Sequence, residues 1–370
     1  MKIKAVDKKL LVSVLLLVGA GFLIFLSASL GLLARDSVHF GSIALKQIFF
    51  GLFPGLIAMY LISNLDYMYW RKLAFWIFAV AIILNILIFI PGLGLTHGGA
   101  TRWLLIGSFS FQVSEVLKIA VIMYFAAWLS FVKDRVATWQ RGLLPLIIMI
   151  AITAALCLAQ PDTDTFLVIS ASLFAMYIVA GGKWRHVFVL GLVGALSLAL
   201  LAYERPYLRA RISTFLDPSA SSQTSGYQIQ QSLIAIGSGG FSGRGFGQSI
   251  QKFNYLPEPV GDSIFAVAAE EFGFLGSVAI LLLFLFFTMR SIKISGNASH
   301  LFGSLFGIGI VTYIIVQSFV NIGAMVGVLP LSGIPLLFVS QGGTALLFAL
   351  AEVGILLNIS RSAKISTTLI

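Results

Sequence analysis

Glu115 and Lys118 stand three residues apart inside the apolar run 113–131, so a helix places them on one face, where they can pair. Asp262 follows the segment KFNYLPEPVG, and Glu270 and Glu271 come eight and nine residues later. At 1.5 Å of helical rise per residue, those glutamates lie about 12–14 Å beyond Asp262, and only one of them can share a face with it. Glu352 falls in a further apolar run, 337–359. A carboxylate at a helix start can merely cap the helix; beside a reacting hydroxyl it can act as a base. The pair at 115 and 118 can fix packing or wall a polar cavity. Cations are gathered elsewhere. Arg205, Arg209, Arg211, Arg244 and Lys252 fall within 203–262, which also holds the glycine-rich GSGGFSGRGFG of 237–247. Guanidinium forks match phosphate oxygens, and glycine-rich backbone can approach an anion. Anionic headgroups or a substrate carrying pyrophosphate would both suit them.

The elements that must position these groups follow from composition. Of 370 residues, 59% are apolar and 10% charged, with a mean hydropathy of +1.00. A soluble domain carries about a quarter charged residues, so a bilayer is the solvent that suits this chain. The expected fold is all-α and polytopic, one domain over 1–370, with about ten spans at 11–33, 43–62, 73–90, 113–131, 143–159, 166–180, 187–202, 263–289, 301–323 and 337–359. After Lys2, Lys4, Lys8 and Lys9, no small-residue cleavage site ends a short apolar region, so the first span is expected to be retained. The single cysteine, Cys157, lies in an apolar run and the four histidines are scattered, which argues against disulfides and zinc.

Ten spans put both termini on one side. With that side cytoplasmic, its segments carry a net +12, leaving −2 for the spans and outer segments, as the positive-inside rule requires. The net charge of +10 is therefore an orientation signal rather than a sign of nucleic-acid binding. Two outer segments stand out: PGLGLTHGGATRWLLIGSFSFQ (91–112), with Arg102, and the long segment 203–262 between spans seven and eight. Long connections of that kind are usually functional. In the second, short amphipathic helices are expected at 207–216 and around 226–237, lying on or dipping into the outer interface.

These blocks resemble the SEDS family of bacterial shape, elongation, division and sporulation proteins. GATRW (99–103) and FQVSEVLKIA (111–120) are similar to its Gly-Ala-x-Arg-Trp and Gln-Pro-Ser-Glu-x-x-Lys segments. QPDTDT (160–165) resembles its Gln-Pro-Asp-Leu-Gly-Thr turn, and RISTFLDP (211–218) its Arg-x-x-x-Phe-Leu-Asp-Pro. GYQIQQSLIAIGSGG (226–240), GFGQSIQKFNYLPE (245–258), DSIFAVAAEEFGFLG (262–276), NIGAMVGVLPLSGIPLLFVSQGGT (321–344) and LLNISR (356–361) extend the likeness to the last span. The GQS–KFNYLPE form looks closer to the division branch, FtsW, than to the elongation branch, RodA. Val113 replaces the pattern's proline, Asp164 its glycine, SQGGT its Ser-Tyr-Gly-Gly-Ser, and VGD its His-Thr-Asp.

The resemblance implies a peptidoglycan glycosyltransferase of the inner membrane, using lipid II, a disaccharide-pentapeptide on undecaprenyl pyrophosphate. The acceptor's GlcNAc 4-hydroxyl would attack C1 of the donor's MurNAc, giving a β-1,4 linkage by inversion. Matching residue by residue makes Asp262 the general base. Arg102, Lys118, Arg211, Arg244 and Lys252 become contacts for pyrophosphate or sugar, with Glu115 orienting Lys118 and Glu271 supporting the cavity. A divalent cation, Mg or Mn, could accompany the pyrophosphate, but no ligand cage is visible. The implied partners are a class B penicillin-binding transpeptidase and other divisome or elongasome membrane proteins, because the chain has no transpeptidase motif of its own. The competing readings are a lipid-linked precursor flippase, needing cavities open to both faces, and a membrane scaffold, in which Asp262 and Lys118 would tolerate change.

Overall fold

Long apolar runs leave the backbone no partner in lipid except itself, so the chain folds into helices. The computed structural model describes residues 5–33, 37–97, 100–107, 109–218 and 225–363. Lys2, Lys4, Gly99, Lys364 and the stretch 219–224 lie outside the described residues. The helices are α1 (Lys8–Leu33), α2 (Ser37–Lys46), α3 (Phe53–Asn64), α4 (Met68–Leu87), α5 (Val113–Val132), α6 (Leu144–Ala159), α7 (Thr163–Val179), α8 (Trp184–Glu204), α9 (Pro206–Leu216), α10 (Ser225–Gly239), α11 (Ile264–Gly296), α12 (Leu301–Met325) and α13 (Gly343–Ser362). A wide helical turn over Gln47–Leu52 joins α2 to α3 into one crossing. Among the described residues, nine helical stretches are long and apolar enough to span a membrane, and α7, at 17 residues, is a shorter tenth.

Proline opens α3, α6 and α9, where its missing N–H costs nothing. Two departures from the expected pattern bear on function. Residues 91–112 are not an irregular loop: they form an antiparallel sheet of β1 (Gly94–His97), β2 (Ala100–Ile106) and β3 (Phe109–Gln112). Trp103 pairs with Leu95 on one side and Gln112 on the other, and β3 runs straight into α5. The last span begins at Gly343 rather than 337, because 330–342 is a non-helical strap that runs from Gly333 into the bundle, where Phe338 packs against Gly21 of α1 and Phe284 and Phe287 of α11. The helix expected around 226–237 is present as α10, which packs along α11 with Ile229, Ser232 and Ala235 buried.

The core runs through α5, α7, α12 and α13. Gly354 of α13 meets the backbone of Met59, and Gly55 of α3 meets Leu347 and Leu350, the small-residue contact by which membrane helices approach closely. By contrast, α8 buries only Ala202. Both described chain ends meet at one end of the bundle: the Asp7 amide donates to Ser360 Oγ at 3.0 Å, and Arg290 Nε donates to the Asp7 carboxylate at 2.9 Å. Arg102 of the sheet, α9, Gly333 of the strap and Asp262 gather away from that end.

Candidate functional site

Asp262 stands just outside α11. The helix is capped at Ser263, and no side chain makes a capping bond there, so the Asp262 carboxylate is not spent on the helix end. Its backbone carbonyl accepts from Asn321 Nδ2 at 2.9 Å, and the same amide donates to the Ile334 carbonyl at 3.0 Å. Asn321 thereby fixes the start of α11 and the strap to α12 together. Gly333 of the strap lies where a methyl group would meet Arg211 Nη2 at 3.8 Å, Arg102 Nη1 at 3.9 Å and Asp262 Oδ2 at 3.9 Å. One carboxylate and two guanidinium groups, from three distant parts of the sequence, therefore converge on one glycine.

Each arginine is held by an acid from the start of α7. Arg102, on β2, donates to the Pro161 carbonyl and stands 3.7 Å from Asp162 Oδ1. Arg211, on α9, donates from Nη1 to both oxygens of Asp164 at 2.9 and 3.1 Å. Asp164 also accepts the Gly333 N–H at 3.2 Å. Both arginine side chains keep part of their surface open, 16% and 26%, so a ligand can reach them. Asp262 is likewise partly open, but protein atoms crowd its carboxyl. That burial, reinforced by the negative charges of Glu258 and Asp164 and opposed by Arg102 and Arg211, pushes its pKa up to about 7. Burial also raises Asp162, against the pull of Arg102.

Beneath this group lies the pair on α5. Lys118 Nζ reaches Glu115 Oε1 at 2.8 Å and Gln317 Oε1 at 2.9 Å, and sits 4.6 Å from the Tyr313 ring centre. Gln317 in turn donates to the Pro335 carbonyl at 3.1 Å. Gln317 and Asn321 are four apart on α12, so the lysine lies about 6 Å deeper than Asn321, joined to Asp262 through the strap. Glu352 of α13 is fully buried and faces Tyr313, Lys118 and Glu115.

Arg244, Lys252 and Glu271 belong to a different cluster. Lys252 is fully buried and donates to Glu271 Oε1 at 2.7 Å, Ser27 Oγ at 3.0 Å and the Gly247 carbonyl at 2.9 Å. Glu270 accepts from Ser249 Oγ at 2.5 Å and the amides of Ile250 and Gln251, with Arg244 Nε 3.5 Å away. These contacts bind the glycine-rich segment to α1 and α11; none of the three residues is a member of the Asp262 group. The groups missed from sequence are Asp162, Asp164, Gln317, Asn321 and Gly333. Two signals were readable: paired acids in the short link 160–165, and an amide pair at helical spacing in an apolar span. As for a resident cation, no set of three His, Cys, Asp or Glu side chains among the described residues could hold one, and Asp162 and Asp164 are taken by arginines.

Comparison with known proteins adds three findings. The sequence pattern of the FtsW/RodA/SpoVE cell cycle protein family matches residues 8–365. Stage V sporulation protein E of Bacillus subtilis is 38% identical over 97% of this chain and 98% of its own length, and the probable peptidoglycan glycosyltransferase FtsW of a Geobacter species is 36% identical over 97% and 98%. Among solved structures, a chain described under the structural coordination of polymerization and crosslinking by a peptidoglycan synthase complex superposes with a TM-score of 0.81 at 26% identity, covering 98% of this chain and 99% of that one. The rod shape determining protein RodA of Thermus thermophilus superposes at 0.72 with the same identity and coverage.

Proposed function

Since the chain belongs to the FtsW/RodA/SpoVE family of cell cycle proteins, we propose that it is a multi-pass peptidoglycan glycosyltransferase of the bacterial inner membrane. Both termini face the cytoplasm, and lipid II is polymerised into β-1,4 glycan strands at the outer face, in division or elongation. The observation that carries this reading is the convergence of Asp262, Arg102 and Arg211 on Gly333, at the bundle end remote from both described chain ends.

The reaction needs a base near one hydroxyl and positive charge near one leaving oxygen. Asp262, with a pKa near 7, is matched to neutral pH as a general base. It takes the proton from the acceptor's GlcNAc 4-hydroxyl as that oxygen attacks C1 of the donor's MurNAc from the face opposite the leaving group. The C1–O bond breaks, its electron pair leaves on undecaprenyl pyrophosphate, and the α-linked donor becomes β-linked. Arg102 and Arg211 stand where fixed positive charge can meet the pyrophosphate as it departs. Lys118, held by Glu115 and Gln317, extends the cationic lining inward. Arg244, Lys252 and Glu271 act at one remove by fixing the glycine-rich segment. The donor set does not fit a resident divalent cation, so Mg or Mn takes no step here; one carried in on pyrophosphate arrives with the substrate.

Cross-linking is left to a partner, a class B penicillin-binding transpeptidase, with other divisome or elongasome proteins around it. A solved structural neighbour from a synthase that joins polymerization to crosslinking supports that partnership. The flippase reading needs a polar path to both faces, whereas the charged cluster around Asp262 sits at one end and the opposite end is tied by Asp7, Arg290 and Ser360. Purified protein, with and without the transpeptidase, should polymerise labelled lipid II, and Asp262→Ala should not while still inserting into membranes. Glycan synthesis by that variant would remove Asp262 as the base, and tolerance of both Asp262→Ala and Lys118→Ala would favour a scaffold.

A further inference from the structure

The helix that carries Arg211 is thinly anchored. Of its eleven residues only Leu208 and Thr214 are buried, too little apolar contact to fix it against the bundle. Two polar contacts tie it to α7 instead. Tyr207 and Arg211, four apart and so on one face of α9, reach the adjacent Thr163 and Asp164. Thr163 Oγ1 lies 3.0 Å from the Tyr207 hydroxyl, and both oxygens of Asp164 accept from Arg211 Nη1. The same carboxylate accepts the Gly333 amide from the strap. One side chain thus joins α7, α9 and the strap around the space that Asp262 faces.

Resting on the glycosyltransferase reading, we infer that Asp164 is a positioning residue: by holding Arg211 and the Gly333 amide together it sets where the guanidinium stands relative to Asp262 and the pyrophosphate of the bound donor. With Nη1 held by Asp164, the other prong, Nη2, stands 3.8 Å from where a methyl group on Gly333 would lie, so the cation is placed toward the site before substrate arrives. Asp164 also tunes the base electrostatically. The charged groups acting on Asp262 are Glu258 from the preceding segment, Asp164 from α7, Arg102 from β2 and Arg211 from α9. Removing the negative charge of Asp164 leaves the two arginines less opposed, which makes the Asp262 carboxylate easier to ionise.

Asp164→Asn tests this, because it keeps the side-chain shape and loses the charge. In lipid II polymerisation by the purified protein, KM should rise about tenfold while kcat stays within about threefold, and the acidic limb of the pH profile should move to lower pH. Asp164→Glu, which keeps the charge, should recover part of the KM loss. A second measurement is independent of turnover. Cys157 is the one cysteine and is buried, so nitroxide labels can be placed selectively at Leu167→Cys on α7 and Ile212→Cys on α9, which are 45% and 44% exposed. The distance distribution between them should broaden in Asp164→Asn. An unchanged distribution, or an unchanged KM with an unmoved acidic limb, overturns the inference. If the unsubstituted protein makes no glycan while the distribution still broadens, the glycosyltransferase reading fails and the anchoring of α9 stands.

Discussion

The side-chain amide of Asn321 donates to the backbone carbonyl of Asp262 at 2.9 Å, and to that of Ile334 at 3.0 Å. One buried amide from α12 therefore sets the distance between the start of α11 at Asp262 and the strap that carries Gly333. Asn321→Leu removes both donors and leaves two carbonyls short of a partner. Each lost bond costs about 0.5–1.5 kcal/mol net, and more where the carbonyl stays dry. The expected result is a lower melting temperature in detergent and a polymerisation rate down by at least about tenfold. Asn321→Asp keeps the shape, loses the donors and adds a charge beside Asp262, so it should be at least as inactive; wild-type rates in either variant would show that the strap is fixed by other contacts.

The Asp262 carboxyl, raised from 3.8 to about 7 chiefly by burial, gives two pH effects with definite signs. A base must be ionised, so activity should climb as pH rises through about 7 and level off above it. Stability moves the other way. The folded state holds the proton between pH 3.8 and about 7, where the unfolded chain has released it, so this group's contribution to stability is full below 3.8 and is lost as pH rises through 7. Asp262→Asn has no such loss. It should melt close to the wild type at pH 4 and above it at pH 8, while making no glycan at either. A variant that melts in parallel with the wild type at every pH would mean that Asp262 ionises like an exposed acid.

Glu115 and Lys118 are both almost wholly buried, with side chains 2% and 3% exposed. Breaking such a pair by removing one partner costs about 3–5 kcal/mol, whereas replacing both with apolar residues of similar volume is often neutral. Lys118→Met and Glu115→Leu should each lower the melting temperature sharply, and the double variant should recover most of that loss. Activity separates packing from chemistry. If Lys118 serves the substrate, the double variant is stable and inactive; a stable and active double variant would reduce the pair to a packing device.

Much of this architecture was legible in the sequence because the bilayer imposes simple rules. A run of about 20 apolar residues must be a helix, and the spans expected from 43–62, 113–131 and 301–323 fall on helical stretches that run Ile43–Asn64, Val113–Ala137 and Leu301–Met325. The outer helices expected at 207–216 and 226–237 appear as α9 and α10. What was not legible depends on contacts between distant segments. Nothing local announces that Arg102 will lie on a strand, or that Gly333 will meet Arg102, Arg211 and Asp262. Nor does charge type reveal membership of a site. Lys252 and Lys118 are both buried lysines beside glutamates, yet one secures a glycine-rich segment to α1 and the other lies under the strap. Asp164 shows the converse, since a departure from the family's pattern turned out to hold two elements of the site.

The break in α11 is the last relationship that can be tested cleanly. Gly273 sits at φ 65°, ψ −161° inside a 33-residue helix, a backbone conformation open essentially to glycine alone. The break frees backbone groups that lipid could not satisfy, and the segment 240–245 satisfies them. Arg244 and Gly245 donate to the Glu270 and Glu271 carbonyls at 3.0 and 2.9 Å, and Phe274 and Leu275 donate to Gly240 and Phe241 at 2.9 and 3.2 Å. A methyl group on Gly273 would stand 2.3 Å from the Gly243 nitrogen, so the segment must move or the helix must straighten. Gly273→Ala adds that clash to about 1–3 kcal/mol of backbone strain. It should lower the melting temperature by several degrees and expose 240–252 to proteolysis. Gly19→Ala is the control: a methyl group there meets nothing within 4 Å, and alanine favours the helix by about 1 kcal/mol, so its melting temperature should hold or rise. If Gly273→Ala behaved like Gly19→Ala, the break would not be what seats the glycine-rich segment, and the Lys252–Glu271 contact would have to hold it alone.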